Sequence, residues 1–213
     1  MASNAKIVNV LALVLLTVGP TAFLEAQDCR DWVLRASSGP TARYGGAMAY
    51  DSVRHVTVLH GGSGENDTWE WDGNTWSQRS NSGPTTRGAM AYDEARAQVI
   101  YYGNIFSGTW SWDGATWELR DPNGPNRPSG GTMAYDPTRQ VIMLVSKVSE
   151  GLSTWEWDGS HWTWRSTESQ PSWDRALAFD RRRGVMVMLC GGGGGDEAYT
   201  WEWAGTHWAL CYT

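Results

Sequence analysis

Tryptophan recurs in this chain in a fixed pattern with a period of 41 to 46 residues. The unit Trp-x-Trp-(Asp/Ala)-Gly-x-x-Trp occurs four times, and together with Trp32 of a partial leading copy it accounts for 13 of the 15 tryptophans. The third tryptophans of the units, at 76, 117, 162 and 208, are separated by 41, 45 and 46 residues. Self-similarity at this period is typical of supersecondary units stacked in an array or a ring. The pattern therefore says much about the architecture of the protein and little about which ligand it binds.

Each unit has the pattern of four short β-strands joined by turns. In the first unit, residues 47–50, 54–60, 68–71 and 75–79 alternate in polarity or are rich in β-branched residues. Paired turn formers such as Asp72-Gly73 separate them. Four-stranded sheets repeated radially are the blades of a β-propeller. We therefore predict an all-β propeller of four-stranded antiparallel blades.

The first strand of every unit ends in the sequence Asp-x-x-Arg. An Asp at this position accepts hydrogen bonds from backbone N–H groups of the turn, and the Arg can pair with it. We interpret the motif as turn chemistry rather than as a repeated charged binding site. The four pairs are Asp51–Arg54, Asp93–Arg96, Asp136–Arg139 and Asp180–Arg183.

Over about residues 29 to 213 the unit resembles the kelch repeat. The resemblance rests on a Pro-x-x-Arg lead, the glycine pair Gly61-Gly62, the aromatic–Asp pair Trp71-Asp72 and the following Trp76. The second and third units lack the glycine pair, and the fourth has Ala204 in place of the Asp. The resemblance implies a propeller similar to the central domain of galactose oxidase. The Tyr–Cys cross-link and histidine ligands of that oxidase have no counterpart in this sequence.

The number of complete units predicts four blades, with repeats at about 41–82, 83–123, 124–168 and 169–213 and a leading strand at 30–36. Two arrangements remain open. In the one we favour, the leading strand covers the edge of the last blade and closes a four-bladed ring, which makes the protein a monomer. In the other, the array is partial and leaves an exposed blade face, so the protein forms a homo-oligomer.

Residues 1–26 have the pattern of a secretory signal peptide, followed by a propeller domain at 27–213. Lys6 precedes an apolar run over residues 7–18, and Ala26 is a small residue at which cleavage can occur. The run is short for a membrane span. We predict a secreted or periplasmic protein that does not insert in the membrane, with an uncleaved anchor as the alternative.

The three cysteines allow a disulfide in such a compartment. Cys29 and Cys211 flank the repeat array, so a bond between them would tie the ends of the ring together. The alternatives are a Cys190–Cys211 bond or three unpaired thiols, because connectivity cannot be deduced from sequence.

Charge and motif content argue against several functions. The formal net charge is −6 and no basic stripe occurs, which argues against nucleic-acid binding. The four histidines have no metal-ligand spacing, and no nucleophile elbow is present. We predict no metal, no cofactor and no enzymatic activity, with a hydrolase as a remote alternative.

Binding residues are expected on loops that lead into the first strands and among aromatics outside the repeat. An arginine follows each Pro-containing loop, and a ring of guanidinium groups at one channel mouth would bind carboxylates. We therefore expect a protein or peptide ligand, with carbohydrate as the alternative because flat aromatic rings stack on sugars. The candidate arginines are Arg43, Arg87, Arg127 and Arg175, and the candidate aromatics are Trp164 and Trp173.

The repeated tryptophans are expected to be structural, since a residue needed in every blade is typical of blade-to-blade packing. These are Trp71, Trp76, Trp112, Trp117, Trp157, Trp162, Trp203 and Trp208.

Overall fold

The computed structural model describes residues 33–85, 87–103, 108–125, 131–169, 175–191 and 198–211, with Arg175 described in its backbone only. Sixteen β-strands occur in these residues, and no helix. They form four antiparallel sheets of four strands, each connected in sequence order as a meander. The arrangement is a four-bladed β-propeller, which confirms the predicted fold class.

Each blade contributes an inner strand first and an outer strand last. Blade 1 is β1 (Ala47–Asp51), β2 (Val56–Gly62), β3 (Glu65–Trp71) and β4 (Trp76–Ser80). Blade 2 is β5 (Ala89–Asp93), β6 (Gln98–Tyr102), β7 (Thr109–Trp112) and β8 (Trp117–Asp121). Blade 3 is β9 (Gly131–Asp136), β10 (Val141–Val148), β11 (Gly151–Trp157) and β12 (Trp162–Glu168). Blade 4 is β13 (Arg175–Asp180), β14 (Val185–Gly191), β15 (Ala198–Trp203) and β16 (Trp208–Cys211).

The turn between the third and fourth strands explains why the second and third tryptophans have the same spacing in all four units. In blade 1, Asp72 Oδ1 accepts hydrogen bonds from the backbone N–H groups of Asn74 (2.8 Å) and Thr75 (2.7 Å). Gly73 adopts a φ of 100°, which favours glycine. These backbone hydrogen bonds lower the pKa of Asp72 below its ordinary value. The turn places Trp71 and Trp76 directly opposite each other in the register, with ring centroids 5.6 Å apart.

The tryptophans of each unit lie on one face of the blade, which we call its leading face; the opposite face is the trailing face. Because strand side chains alternate, Met90, Tyr92 and Trp112 share the leading face of blade 2 and pack on Ala47 and Val58 of the trailing face of blade 1. Two further apolar clusters join blade 2 to blade 3 and blade 3 to blade 4 in the same way. The core of the protein is therefore divided among the blade interfaces.

A hydrogen bond recurs at these three interfaces. The third tryptophan of a unit donates its indole N–H to a threonine on the third strand of the preceding blade. The tryptophan lies on the leading face of its blade and the threonine on the trailing face of the other, so the two residues face each other in each of these interfaces. The bonds run from Trp117 to Thr68 (2.8 Å), from Trp162 to Thr109 (2.7 Å) and from Trp208 to Thr154 (2.9 Å).

Consecutive inner strands lie side by side, β1 with β5, β5 with β9 and β9 with β13. In the described residues, neither a comparable contact between β13 and β1 nor an apolar cluster between blades 4 and 1 is present. Of the predicted leading strand at 30–36, residues 33–36 form no strand, and the rest lies outside the described residues. Closure of the ring by this segment therefore stays a prediction.

His60 is a buried polar residue at the first interface whose protonation state follows from its partners. Its Nε2 lies 3.0 Å from the carbonyl oxygen of Pro84, which can only accept, so Nε2 carries the proton. Its Nδ1 lies 2.9 Å from Thr68 Oγ1 and accepts from that hydroxyl, which itself accepts from Trp117. Burial lowers the pKa of His60 below 6.5, and the bond to Pro84 opposes the shift.

This neutral histidine predicts a loss of stability in mild acid. The unfolded state binds a proton at about pH 6.5, whereas the folded state resists it, so the free energy of unfolding falls as the pH drops from above 6.5 toward the lowered folded pKa. Urea unfolding at about pH 7.5 and about pH 5.5 measures this difference. We expect His60→Gln to reduce it, while His55→Gln, at an exposed position, leaves it unchanged. An unreduced pH dependence in His60→Gln would contradict the assignment.

Candidate functional site

Arg43, in the loop that leads into β1, is turned into its own blade. Its guanidinium donates to both carboxylate oxygens of Asp67, at 2.5 and 3.1 Å, and to the carbonyl oxygen of Gly61 at 3.1 Å. The side chain is 7% exposed. The hydrogen bond from Arg43 lowers the pKa of Asp67 below its ordinary value. Arg43 therefore anchors the loop and does not offer its charge to a ligand.

Tyr44, the next residue, is held in place by the turn between β2 and β3. The Ser63 N–H donates to the Tyr44 carbonyl and the Tyr44 N–H donates to Ser63 Oγ, both at 3.0 Å. Gly62 allows this approach, since a Cβ there would lie 2.8 Å from the backbone nitrogen of Gly46. The Tyr44 side chain itself is exposed. Because its backbone is already fixed, Tyr44 pays little backbone entropy when its ring contacts a ligand.

Arg87, which precedes β5 of the next blade, completes this surface. Its guanidinium carbon lies 4.6 Å from the centroid of the Tyr44 ring, a cation–π contact. The side chain is exposed. Among the described residues, no hydrogen bond or ion pair engages the guanidinium. We call these two side chains the Tyr44–Arg87 patch.

The remaining candidate residues are described only in part. Arg127 and Trp173 lie outside the described residues, and Arg175 is described only as the first residue of β13. Trp164 is 54% exposed on β12, with its indole N–H 3.2 Å from Thr167 Oγ1. The described side chains thus place Tyr44 beside Arg87, while Trp164 lies on the outer strand of a different blade.

The sequence did not indicate a groove of about 410 Å³ between the outer parts of blades 1 and 2. It combines two indole rings with three hydroxyl groups, and no carboxylate is among the described residues that line it. The lining residues are Ser80, Ser82, Gly83, Trp110, Ala115, Thr116 and Trp117. The sequence alone does not predict this groove, because its walls come from two consecutive repeats and form only when the two blades pack together.

The Asp-x-x-Arg motif forms a clamp that also includes the Glu of Trp-Glu-Trp. In blade 1, Asp51 accepts from the backbone N–H of Arg54 (2.9 Å) and from its Nε (2.7 Å), and Arg54 Nη1 reaches Glu70 at 2.6 Å. Burial raises the pKa of Asp51, but the hydrogen bonds from Arg54 outweigh it and the net pKa is lowered. Glu70 Oε1 also accepts the indole N–H of Trp112 from blade 2, at 3.0 Å. The motif is structural, joining a turn to the blade interface.

Blade 2 modifies the clamp because it has Ser111 where blades 1, 3 and 4 have glutamate. Arg96 still pairs with Asp93 at 2.9 Å. With no carboxylate on its own third strand, Arg96 extends to the backbone carbonyls of Gln140 and Asp158 in blade 3. The substitution therefore exchanges a bond within the blade for bonds to the next one.

The described residues contain no group of three or more His, Cys, Asp or Glu side chains placed to hold a metal ion. Among the described residues, Cys211 has no disulfide partner. Burial raises its pKa, and Glu202 acts in the same direction. Its predicted disulfide partner, Cys29, lies outside the described residues, so that bond stays a prediction. No helix in the described part of the chain is long and apolar enough to span a membrane.

Comparison with known proteins places the chain by its fold. No family profile and no curated protein sequence matches it. A chain of a nidogen/laminin complex is 13% identical with a TM-score of 0.57, and the match covers 74% of this chain and 59% of that chain. The kelch resemblance is therefore not confirmed as family membership, whereas the propeller fold is supported.

Two further similar structures are enzymes. A gluconolactonase from Xanthomonas campestris is 13% identical with a TM-score of 0.53, over 76% of this chain and 59% of that one. A GH74 enzyme from Niastella koreensis is 17% identical with a TM-score of 0.54, over 78% of this chain and 30% of that one. This chain thus spans less than two thirds of the length of each of these proteins.

These similarities correct one prediction from the sequence. We expected no enzymatic activity, because the sequence lacks a recognised catalytic motif. The similar solved structures include a gluconolactonase and GH74 enzymes. Propellers of this kind therefore do include enzymes, and the prediction of no enzymatic activity is wrong. At these identities the likeness establishes the fold and assigns no reaction to this chain.

Proposed function

We propose that the propeller binds an acidic peptide, or an acidic segment of a protein, at the Tyr44–Arg87 patch. One observation carries the proposal: an exposed guanidinium stacks on a ring whose backbone is fixed, and no described residue pairs with its N–H groups. Stacking leaves the edge of a guanidinium available for bidentate hydrogen bonds to a carboxylate. Tyrosine and arginine are enriched among residues that dominate binding energy.

The surroundings of the patch support recognition rather than packing. The loop is fixed by the bonds of Arg43 to Asp67 and Gly61 and by the bond between Tyr44 and Ser63. Tyr44 and Arg87 lie in loops that lead into the inner strands β1 and β5, and recognition commonly uses loops on a rigid scaffold. One chain of similar fold comes from a crystal structure of a nidogen/laminin complex, which is a complex between proteins.

Binding to a peptide array tests the proposal. Labelled full-length protein is applied to acidic peptides and to copies in which every Asp and Glu is replaced by Asn and Gln. We expect a preference for the acidic set, and a loss of about tenfold or more in Arg87→Glu and Tyr44→Ala. Arg120→Glu, at an exposed position on β8, is the matched control and should bind as the wild type does. Equal binding of both peptide sets, or an unaffected Arg87→Glu, would reject the patch.

A second candidate is oligosaccharide binding, favoured by the groove between blades 1 and 2 and by exposed Trp164. Indole faces with nearby hydroxyls suit sugar rings, and one similar structure is a GH74 xyloglucanase. Isothermal titration calorimetry with a xyloglucan oligosaccharide, using the wild-type protein and the variants named below, tests this candidate. Loss of binding in Ala115→Arg would assign the groove, and loss in Trp164→Ala would assign the outer strand. No heat of binding with the wild type would remove this candidate.

A further inference from the structure

The leading face of blade 1 has the composition of a buried interface but is only partly buried: Leu59 is 7% exposed, whereas its three tryptophans have intermediate exposure. Met48 and Tyr50 of β1 are each 54% exposed. Met90 and Tyr92 hold the same positions in blade 2, where they pack on blade 1 and are each 7% exposed. The difference arises because no described blade packs on this face. Of the described loop before β1, Gly39 lies against it, where a Cβ would be 2.7 Å from Trp76 Cδ1.

The trailing face of blade 4 is exposed in the same way. Leu189 of β14 is 49% exposed, whereas Tyr102, at the same register position in blade 2, is 2% exposed and packs against Trp162. The clamp of this blade is also open to solvent: Arg183 and Glu202 are 52% and 29% exposed, against 28% and 6% for Arg54 and Glu70.

These two faces are complementary, since they repeat the two halves of the three interfaces already formed within the chain. Thr200 of β15 holds the position of Thr154, which accepts the indole N–H of Trp208. Trp76 holds the position of Trp208 as a donor. Glu202 likewise matches Glu70, the acceptor of Trp112, so that Trp71 is its corresponding donor. Each exposed face therefore presents the polar groups that the other one needs.

We propose that a second copy of this chain docks its blade 1 leading face on the blade 4 trailing face of the first copy. Trp76 of one copy then donates to Thr200 of the other, and Leu189 packs against the Trp76 ring, as Tyr102 packs against Trp162. The contact is head-to-tail, because two different surfaces meet. Two copies that make it reciprocally form a ring of eight blades, within the known range for propellers.

Light scattering of the full chain under non-reducing conditions tests the docking. We expect twice the mass of one chain for the wild type, and the mass of one chain for both Tyr50→Glu and Leu189→Glu, each of which places a charge on one of the two faces. Both positions are half-exposed in the single chain, so these variants should keep the wild-type circular dichroism. Leu119→Glu, at a 44% exposed position on the outer strand of blade 2, is the matched control and should stay a dimer.

Mixing the two variants distinguishes a head-to-tail contact from a contact of like faces. Tyr50→Glu keeps an intact blade 4 face and Leu189→Glu keeps an intact blade 1 face. An equimolar mixture at millimolar concentration should therefore form a heterodimer through one intact interface. A monomeric wild type, a Leu189→Glu variant that stays dimeric, or a mixture that stays monomeric would each overturn the proposal.

Discussion

Replacing Trp112 with alanine is expected to lower the free energy of unfolding by about 3–5 kcal/mol. Trp112 is fully buried between blades 1 and 2, stacks against Trp117 with ring centroids 5.3 Å apart, and donates its indole N–H to Glu70. The truncation removes the largest fully buried side chain of that interface, and β-sheets on both sides limit how far the cavity can collapse. Urea unfolding monitored by circular dichroism measures the loss.

Trp164→Ala is the matched control for this experiment, because it makes the same chemical change at an exposed position on β12. We expect its free energy of unfolding to stay within about 0.5 kcal/mol of the wild type. Equal effects of the two substitutions would show that the tryptophan repeat does not build the interface described above.

Replacing Glu70 with alanine is expected to cost about 3 kcal/mol. Glu70 is buried, accepts hydrogen bonds from Arg54 at 2.6 Å and Trp112 at 3.0 Å, and forms an ion pair with Arg79 at 3.1 Å. Its removal leaves the buried indole N–H of Trp112 without an acceptor, whereas Arg54 and Arg79, which are 28% and 47% exposed, can bind water instead. The same denaturation experiment measures the cost.

Glu118→Ala serves as the control for Glu70. Glu118 pairs with Arg120 at 3.0 Å on the outer strand of blade 2, where both side chains are accessible to water. Surface pairs of this kind contribute about 0–1 kcal/mol. A cost for Glu70→Ala as small as that of Glu118→Ala would mean that the clamp does not stabilise the blade interface.

The strands could be predicted from the sequence because their signals are local. Alternation and turn formers indicated strands at 68–71 and 75–79, and the structure has β3 at Glu65–Trp71 and β4 at Trp76–Ser80. The second strand was predicted from Arg54 but begins at Val56, because Arg54 belongs to the turn that Asp51 closes. The pairing of Asp with Arg was foreseen, since both residues lie within one turn.

The candidate site was less predictable because it depends on contacts between distant residues. Arg43 fits the pattern of a ligand-binding arginine, yet it forms a buried ion pair with Asp67, which lies 24 residues further along the chain. The repeat showed Arg43 and Arg87 as equivalent, and the structure separates them: one is paired inside its blade, and the other stacks on Tyr44 of the neighbouring unit. Only the placement of successive blades distinguishes the two arginines.

A double-mutant cycle between Glu70 and Trp112 tests the central claim most directly. These residues are 42 positions apart and meet only if the leading face of blade 2 packs on the trailing face of blade 1. The cycle compares wild type, Glu70→Ala, Trp112→Phe and the double variant, since phenylalanine keeps a ring without the N–H group. Packing of blade 2 on blade 1 predicts a coupling energy of about 0.5–3 kcal/mol, whereas additive effects of the two substitutions would contradict it.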